Sequence, residues 1–242
     1  MLQWVPFLST GLAFASFITG GIVGKISFLL FPQRVYQLFA LCGGILVGLI
    51  YELVTKTVEQ FSETGFGIAL GGAIGICLMF ILESLFHNKK MNNKELTLQS
   101  SIILTIAIGI HNIPSGISLG ANFLKGNNDL AFSLLGVLFF HILPEGIALV
   151  MLFLLAGKSF LKFSLPALIL ALILGIGTLI GLLIGNESLK LNSLLLGIAI
   201  ASICYVAIVE IILKAIKNLR VSHFLVYFLL GFIMVAIYLN FI

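Results

Sequence analysis

Polar positions are so sparse along this chain that they mark the ends of apolar runs rather than one face of each run. Runs of the length that crosses a bilayer, about 17–25 residues, cover residues 7–31, 35–55, 66–86, 98–121, 130–155, 163–185, 191–213 and 222–241. Apolar residues are continuous within them, not alternating, so the predicted elements are helices that satisfy every backbone group inside one segment. The pattern predicts an all-α, polytopic membrane protein with eight transmembrane helices, forming one integral membrane domain over 1–242. The longest polar stretch, HNKKMNNKELTLQS at 87–100, reads as a loop and is too short for a soluble domain.

Composition sharpens this reading. Hydrophobic residues make up 60% of the chain and charged residues 9%, with a mean hydropathy of +1.22. A soluble domain carries about a quarter of its residues charged, so this chain cannot cover its own surface with polar groups. The first run has no basic residue before it and is followed closely by others, so a span is expected there, not a cleaved signal. The formal charge of +4 comes from short loops, which points to anionic lipid in the bilayer and not to nucleic acid.

Basic residues divide unevenly between the two sides. The odd-numbered connections hold Lys25, Arg34, Lys89, Lys90, Lys94, Lys158, Lys162, Lys214, Lys217 and Arg220, whereas the even-numbered ones hold Lys56, Lys125 and Lys190. The positive-inside rule puts the odd connections in the cytoplasm and both termini outside. Cys42, Cys77 and Cys204 fall within apolar runs and read as small buried hydrophobes without a disulfide framework.

Small residues recur at helical spacing in GFGIALGGAIG (65–75), GGILVG (43–48) and GIGTLIGLLIG (175–185). Small residues four apart let membrane helices approach closely, which suits internal packing or a homodimer contact equally. Lone acids stand in the second and seventh runs, Glu52 and Glu210, each after a glycine-containing apolar stretch and a tyrosine. Counted from the two ends, these helices correspond in a 3+2+3 arrangement, whose outer triplets would form an inverted repeat.

The fourth and fifth runs carry the chemistry. GIHNIPSGISL places His111, Asn112, Pro114, Ser115 and Gly116 in one, and FFHILPEGIAL places His141, Pro144, Glu145 and Gly146 in the other. His111 and Ser115 are four apart, as are His141 and Glu145, so each pair stacks on one helix face. Pro114 and Pro144 lack an N–H and clash with the carbonyls of Ile110 and Phe140, kinking the helices beside the histidines. Gly116 and Gly146 let a neighbouring helix, or an ion, come close. An ionisable residue at midspan is costly and marks function by default. Two neutral imidazoles and a carboxylate suit zinc, and also iron, cobalt, nickel or manganese. The residues alone nominate His111, His141 and Glu145 as ligands, with Ser115, Asn112 or water completing the shell.

HNIPSG and HILPEG resemble the paired HNxPEG and HxxPEG signatures of the ZIP (Zrt/Irt-like) family of divalent metal cation transporters, of which this would be a divergent member. The resemblance extends to eight spans, outward termini and the acids of helices two and seven. It implies a binuclear centre between helices four and five and transport of zinc or a related cation, cadmium included, toward the cytoplasm. By motif match one metal site falls on His111, Ser115, His141 and Glu145, and the other on Asn112, Ile142, Ser115 and Glu145. Ser115 stands where the family has a bridging glutamate, Ile142 cannot coordinate, and SLPALILALILGIGTLIGLLIG in the sixth run holds no acid. The second site is therefore expected to be absent, and the first keeps three strong ligands and one weak one.

The expected mechanism is alternating access in the cell membrane, with the helix-four/five unit shifting against its neighbours. No nucleotide-binding loop is present, so ATP is not the direct drive, and no organic cofactor is expected. Glu52 and Glu210 line the metal's entrance or exit, accept protons, or bond between helices. Two other readings share these residues. One is an intramembrane metal-dependent hydrolase with Glu145 or Glu210 as base, although HExxH is missing. The other is a transport-inactive sensor or scaffold, for which Ser115 and Ile142 speak.

Overall fold

The computed structural model describes residues 2–60, 65–86, 93–124, 128–184 and 189–240, and the regular elements among them are all helical. They are α1 (Val5–Leu30), α2 (Val35–Gln60), α3 (Gly65–Phe86), α4 (Asn93–Leu124), α5 (Asn128–Leu155), α6 (Phe160–Ile184), α7 (Leu189–Tyr205), α8 (Leu213–Asn218) and α9 (Val221–Asn240). A π-helical segment, Val206–Ile212, joins α7 to α8, so these three form one span, Ser193–Asn218. Among the described residues, eight spans are long and apolar enough to cross a membrane.

Local chemistry sets the breaks. Pro32 disfavours helical backbone at the residue before it, and Phe31 leaves the helix at φ −137° and ψ 62° before a short 3₁₀ turn, Pro32–Arg34, leads into α2. α5 ends at Leu155, and Gly157 just beyond it stands at φ +73°. The Gly157 N–H donates to Leu154 O (2.9 Å) and the Lys158 N–H to Phe153 O (2.8 Å), a Schellman closure that glycine makes without steric cost.

Packing sorts the spans into two sets. α1, α4, α5 and α6 pack on one another chiefly as α1 on α5, α4 on α6, α1 on α6 and α4 on α5. In the second set α3 packs on α7, α2 on α9, and α2 on the π-helical segment. The two sets meet mainly where α4 touches α7 and α2 touches α5. Glycines make the tight contacts. A Cβ on Gly116, Gly120, Gly177 or Gly181 would strike backbone across the α4–α6 contact, and one on Gly20 or Gly146 would do so between α1 and α5. Gly44 and Gly231 do the same for α2 and α9, and Gly71 and Gly197 for α3 and α7. Lipid tails are as apolar as these side chains, so close backbone approach takes over from the hydrophobic effect in holding helices together.

Two expectations need correction. α4 begins at Asn93, inside the stretch read as a loop, because Glu95 in its first turn suits the helix N-terminus and Gln99 and Ser101 are buried. His87 lies outside the described residues. Cys77 is exposed rather than buried, because α3 packs mainly on α7 and keeps only 17% of its span buried. Glu83 accepts a hydrogen bond from the Tyr205 hydroxyl of α7.

Candidate metal centre

α4 and α5 pack directly, and each carries its proline inside an unbroken helix. The histidine, the proline and the following polar residue therefore stay within about one turn. Gly116 faces the backbone of α6 at Leu174 and Thr178, and Gly146 faces the backbone of α1 at Phe17. What comes close at both glycines is a neighbouring helix. The contact is matched from the other side: a Cβ on Gly177 would strike the carbonyl of Ile113, and one on Gly20 that of Leu143. Ile113 and Leu143 each precede the proline of their helix, so both proline turns are clamped by a glycine on a partner helix.

Between these clamps lie His111, His141 and Glu145, all buried. One ligating atom from each lies within 4.8 Å of the other two. The imidazole centroids are 5.0 Å apart with an interplanar angle of 46°. His141 Nε2 lies 3.2 Å from Glu145 Oε1 but out of line for a hydrogen bond. His111 Nδ1, His141 Nε2 and Glu145 Oε2 are fully buried with no hydrogen-bond partner in the protein. Leaving such atoms unsatisfied costs about 1–3 kcal/mol each, more for a charged group, so a cluster of three needs a reason. Imidazole nitrogen and carboxylate oxygen are the donor set of a borderline divalent cation, and these orphaned atoms fit one.

The other nominated residues take different places. The Ser115 hydroxyl lies 3.4 Å from His111 Nε2 and donates to the His111 carbonyl at 3.1 Å. Asn112 is fully buried, and its Nδ2 donates to Leu170 O of α6 at 3.2 Å, which leaves Oδ1 without a partner. Ile142 is packed in the apolar core. A cavity of about 90 Å³ reaches the cluster, lined by His111, Ser115, Ser118, Leu119, Leu138 and His141 from the first set and by Leu49, Leu53 and Leu196 from the second. Glu52 is half-buried on α2, a turn from Leu49.

Glu210 stands apart from the cluster in the π-helical segment, buried, with Lys214 Nζ 2.6 Å from its Oε2. Sequence reasoning missed this ion pair, although the i, i+4 spacing that allows it is plain in the chain. No residue pattern marked the π-helical segment itself, and segments of that kind often sit at functional positions.

A family model described as ZIP Zinc transporter matches residues 87–239, which covers α4 through nearly all of α9. No curated protein matches the chain.

Proposed function

The chain belongs to the ZIP zinc transporter family, whose members are transporters rather than enzymes, and from that premise we propose that this multi-pass plasma membrane protein carries zinc or a related divalent cation toward the cytoplasm. The observation that carries the proposal is the buried group of His111, His141 and Glu145, with buried ligating atoms left without a hydrogen bond, beside a cavity that the two histidines line. In this reading those three residues are the metal ligands, Ser115 is a weak fourth partner, and Asn112 stays committed to α6. Iron, manganese, cadmium, cobalt and nickel suit the same donors, so the preferred metal is read from transport and not from ligand type. Glu52, near the cavity, and Glu210, beyond the cluster, are pathway positions in the same proposal.

The whole chain acts as one transporter domain in a 3+2+3 inverted repeat with both termini outside. Packing supports this. Exchange of α4 with α5, and of the first three spans with the last three, turns the α4–α6 contact into α5–α1 and the α3–α7 contact into α9–α2. The glycines follow the same exchange. Gly116 corresponds to Gly146, Gly177 to Gly20, Gly44 to Gly197 and Gly71 to Gly231, each meeting the corresponding backbone. The set α1, α4, α5 and α6 is then the moving body that carries the metal, and the second set is the frame, which gives alternating access by relative motion.

The test is metal uptake into liposomes holding the purified protein, for zinc with cadmium, manganese and iron in parallel. Saturable uptake that disappears in the His141→Ala, Glu145→Gln double variant is the expected result. Metal binding without flux for any ion would sink the transport reading and leave a sensor.

A further inference from the structure

At the end of the bundle where α1 runs into α2, the two sets of helices border a second cleft, of about 240 Å³. Ser27 and Phe31 of the α1 end and Met151 of α5 form one wall, and Leu38 and Leu41 of α2 with Tyr227 and Leu230 of α9 form the other. Arg34, in the 3₁₀ turn, and Gln37, in the first turn of α2, line the same space. Arg34 is exposed, and its guanidinium carbon lies 5.1 Å from the centroid of the Phe31 ring. Gln37 Oε1 is buried without a hydrogen-bond partner. Leu38 and Leu41 lie one and two turns further into the bundle than Arg34, and Leu230 one turn further than Tyr227. The cleft is therefore cationic and hydrogen-bonding at its mouth and apolar in its depth. Arginine meets a phosphate with paired N–H bonds from a planar fork, and an aromatic ring beneath it holds that fork in place. The same end of the bundle carries Lys25, Lys158, Lys217 and Arg220, a charge pattern complementary to an anionic leaflet.

We propose that this cleft holds one anionic phospholipid with a hydroxyl-bearing headgroup, its phosphate on Arg34, its headgroup hydroxyl on Gln37 and an acyl chain along Leu38, Leu41 and Leu230. Because the walls belong to both sets, a bound lipid favours the arrangement of the sets in which the cleft has this shape. That consequence rests on the moving-body reading above, whereas binding of the lipid does not.

The test uses the full-length protein in uncharged detergent, titrated with phosphatidylglycerol, phosphatidylcholine or glycerol 3-phosphate and followed by native mass spectrometry and thermal melts. Phosphatidylglycerol is expected to stay bound and to raise the melting temperature by about 2–4 °C or more, and the other two to do neither. Arg34→Gln should remove the shift, Arg34→Lys should keep part of it, and Lys158→Gln, at the same end but outside the cleft, should keep all of it. Leu230→Trp fills the apolar depth with Arg34 in place and should also remove the shift, so the proposal stays testable should Arg34→Gln not fold. Equal shifts with phosphatidylglycerol and phosphatidylcholine overturn the proposal, as do equal losses in Arg34→Gln and Lys158→Gln, which would mean general surface charge. Glycerol 3-phosphate as effective as the lipid also overturns it, in favour of a soluble anion. In vesicles of phosphatidylcholine with and without phosphatidylglycerol, the rate of zinc uptake should differ for the wild type and not for Arg34→Gln. Equal wild-type rates overturn the bridging role, and no uptake in either vesicle removes the carrier reading while the melts still decide the lipid site.

Discussion

Glu145 does two opposed things at once. It supplies the charge that attracts a metal, and its buried Oε2 has no hydrogen-bond donor in the protein. Glu145→Gln should therefore raise the melting temperature of the metal-free protein while weakening zinc by more than the roughly 10–100-fold that loss of an outer partner costs. A thermal melt with and without zinc reads both, and a variant that loses stability without metal would contradict the strained-carboxylate reading. Lys214 offers the reverse case. Its side chain is 27% exposed against 7% for that of Glu210, so Lys214→Met strands a buried carboxylate, whereas Glu210→Gln frees an ammonium that can reach toward water. Breaking a buried pair costs about 3–5 kcal/mol, and the lower end is expected for Lys214→Met, with less for Glu210→Gln and least for both together. Melts of the three variants that fell equally would refute that order. The His/His/Glu group was legible in sequence because i, i+4 spacing and midspan placement both follow from helix geometry. The Tyr205–Glu83 bond was not, since it joins residues 122 positions apart whose meeting depends on how α3 leans on α7.

At the scale of elements, the apolar runs foretold every span but neither their partners nor their irregularities. Hydropathy measures length in the membrane, and nearly uniform apolar helices such as α6 give no face that names a neighbour. Glycine spacing came closer. It marked contact stripes correctly without saying which glycine in each stripe is tight. Gly71 and Gly72 are adjacent in α3, yet a Cβ on Gly71 would strike the Leu194 backbone of α7, while one on Gly72 meets nothing within 4 Å. Gly71→Ala should destabilise the protein by about 1–3 kcal/mol through overpacking. Gly72→Ala should be neutral or stabilise it by up to about 1 kcal/mol, from helix propensity alone. Denaturation of both variants in one detergent makes each the control for the other. Equal losses would mean that the α3–α7 contact yields to an added methyl. The π-helical segment stayed hidden for a simpler reason: VAIVEII has the composition of ordinary membrane helix, and the extra residue in the turn is visible only in the backbone.

For the whole molecule, the contrast lies between contacts inside each set of helices and contacts across them. The glycines whose added Cβ would strike backbone do so within a set, at α1–α5, α4–α6, α1–α6, α2–α9 and α3–α7. Contacts across the sets include side-chain ones, such as the Phe140–Tyr238 rings with centroids 4.5 Å apart. Interlocked backbones resist sliding more than side-chain faces do, which suits the proposal that the set carrying His111 and His141 moves as a body. The cavity lies on the Ser118 side of the cluster, which is the outer side in the proposed orientation. Leu104 and Ile108, toward the other end of α4, are buried in the apolar core. With Cys42, Cys77 and Cys204 replaced, Ser118→Cys should react with a membrane-impermeant thiol reagent applied outside, and zinc should slow the reaction. Ile108→Cys should stay unreactive from either side until the moving set shifts, and then react from the cytoplasmic side alone. Reaction of Ser118→Cys only from the cytoplasm would reverse the orientation. Reaction of both positions from the same side at once would replace two alternating states with an open pore.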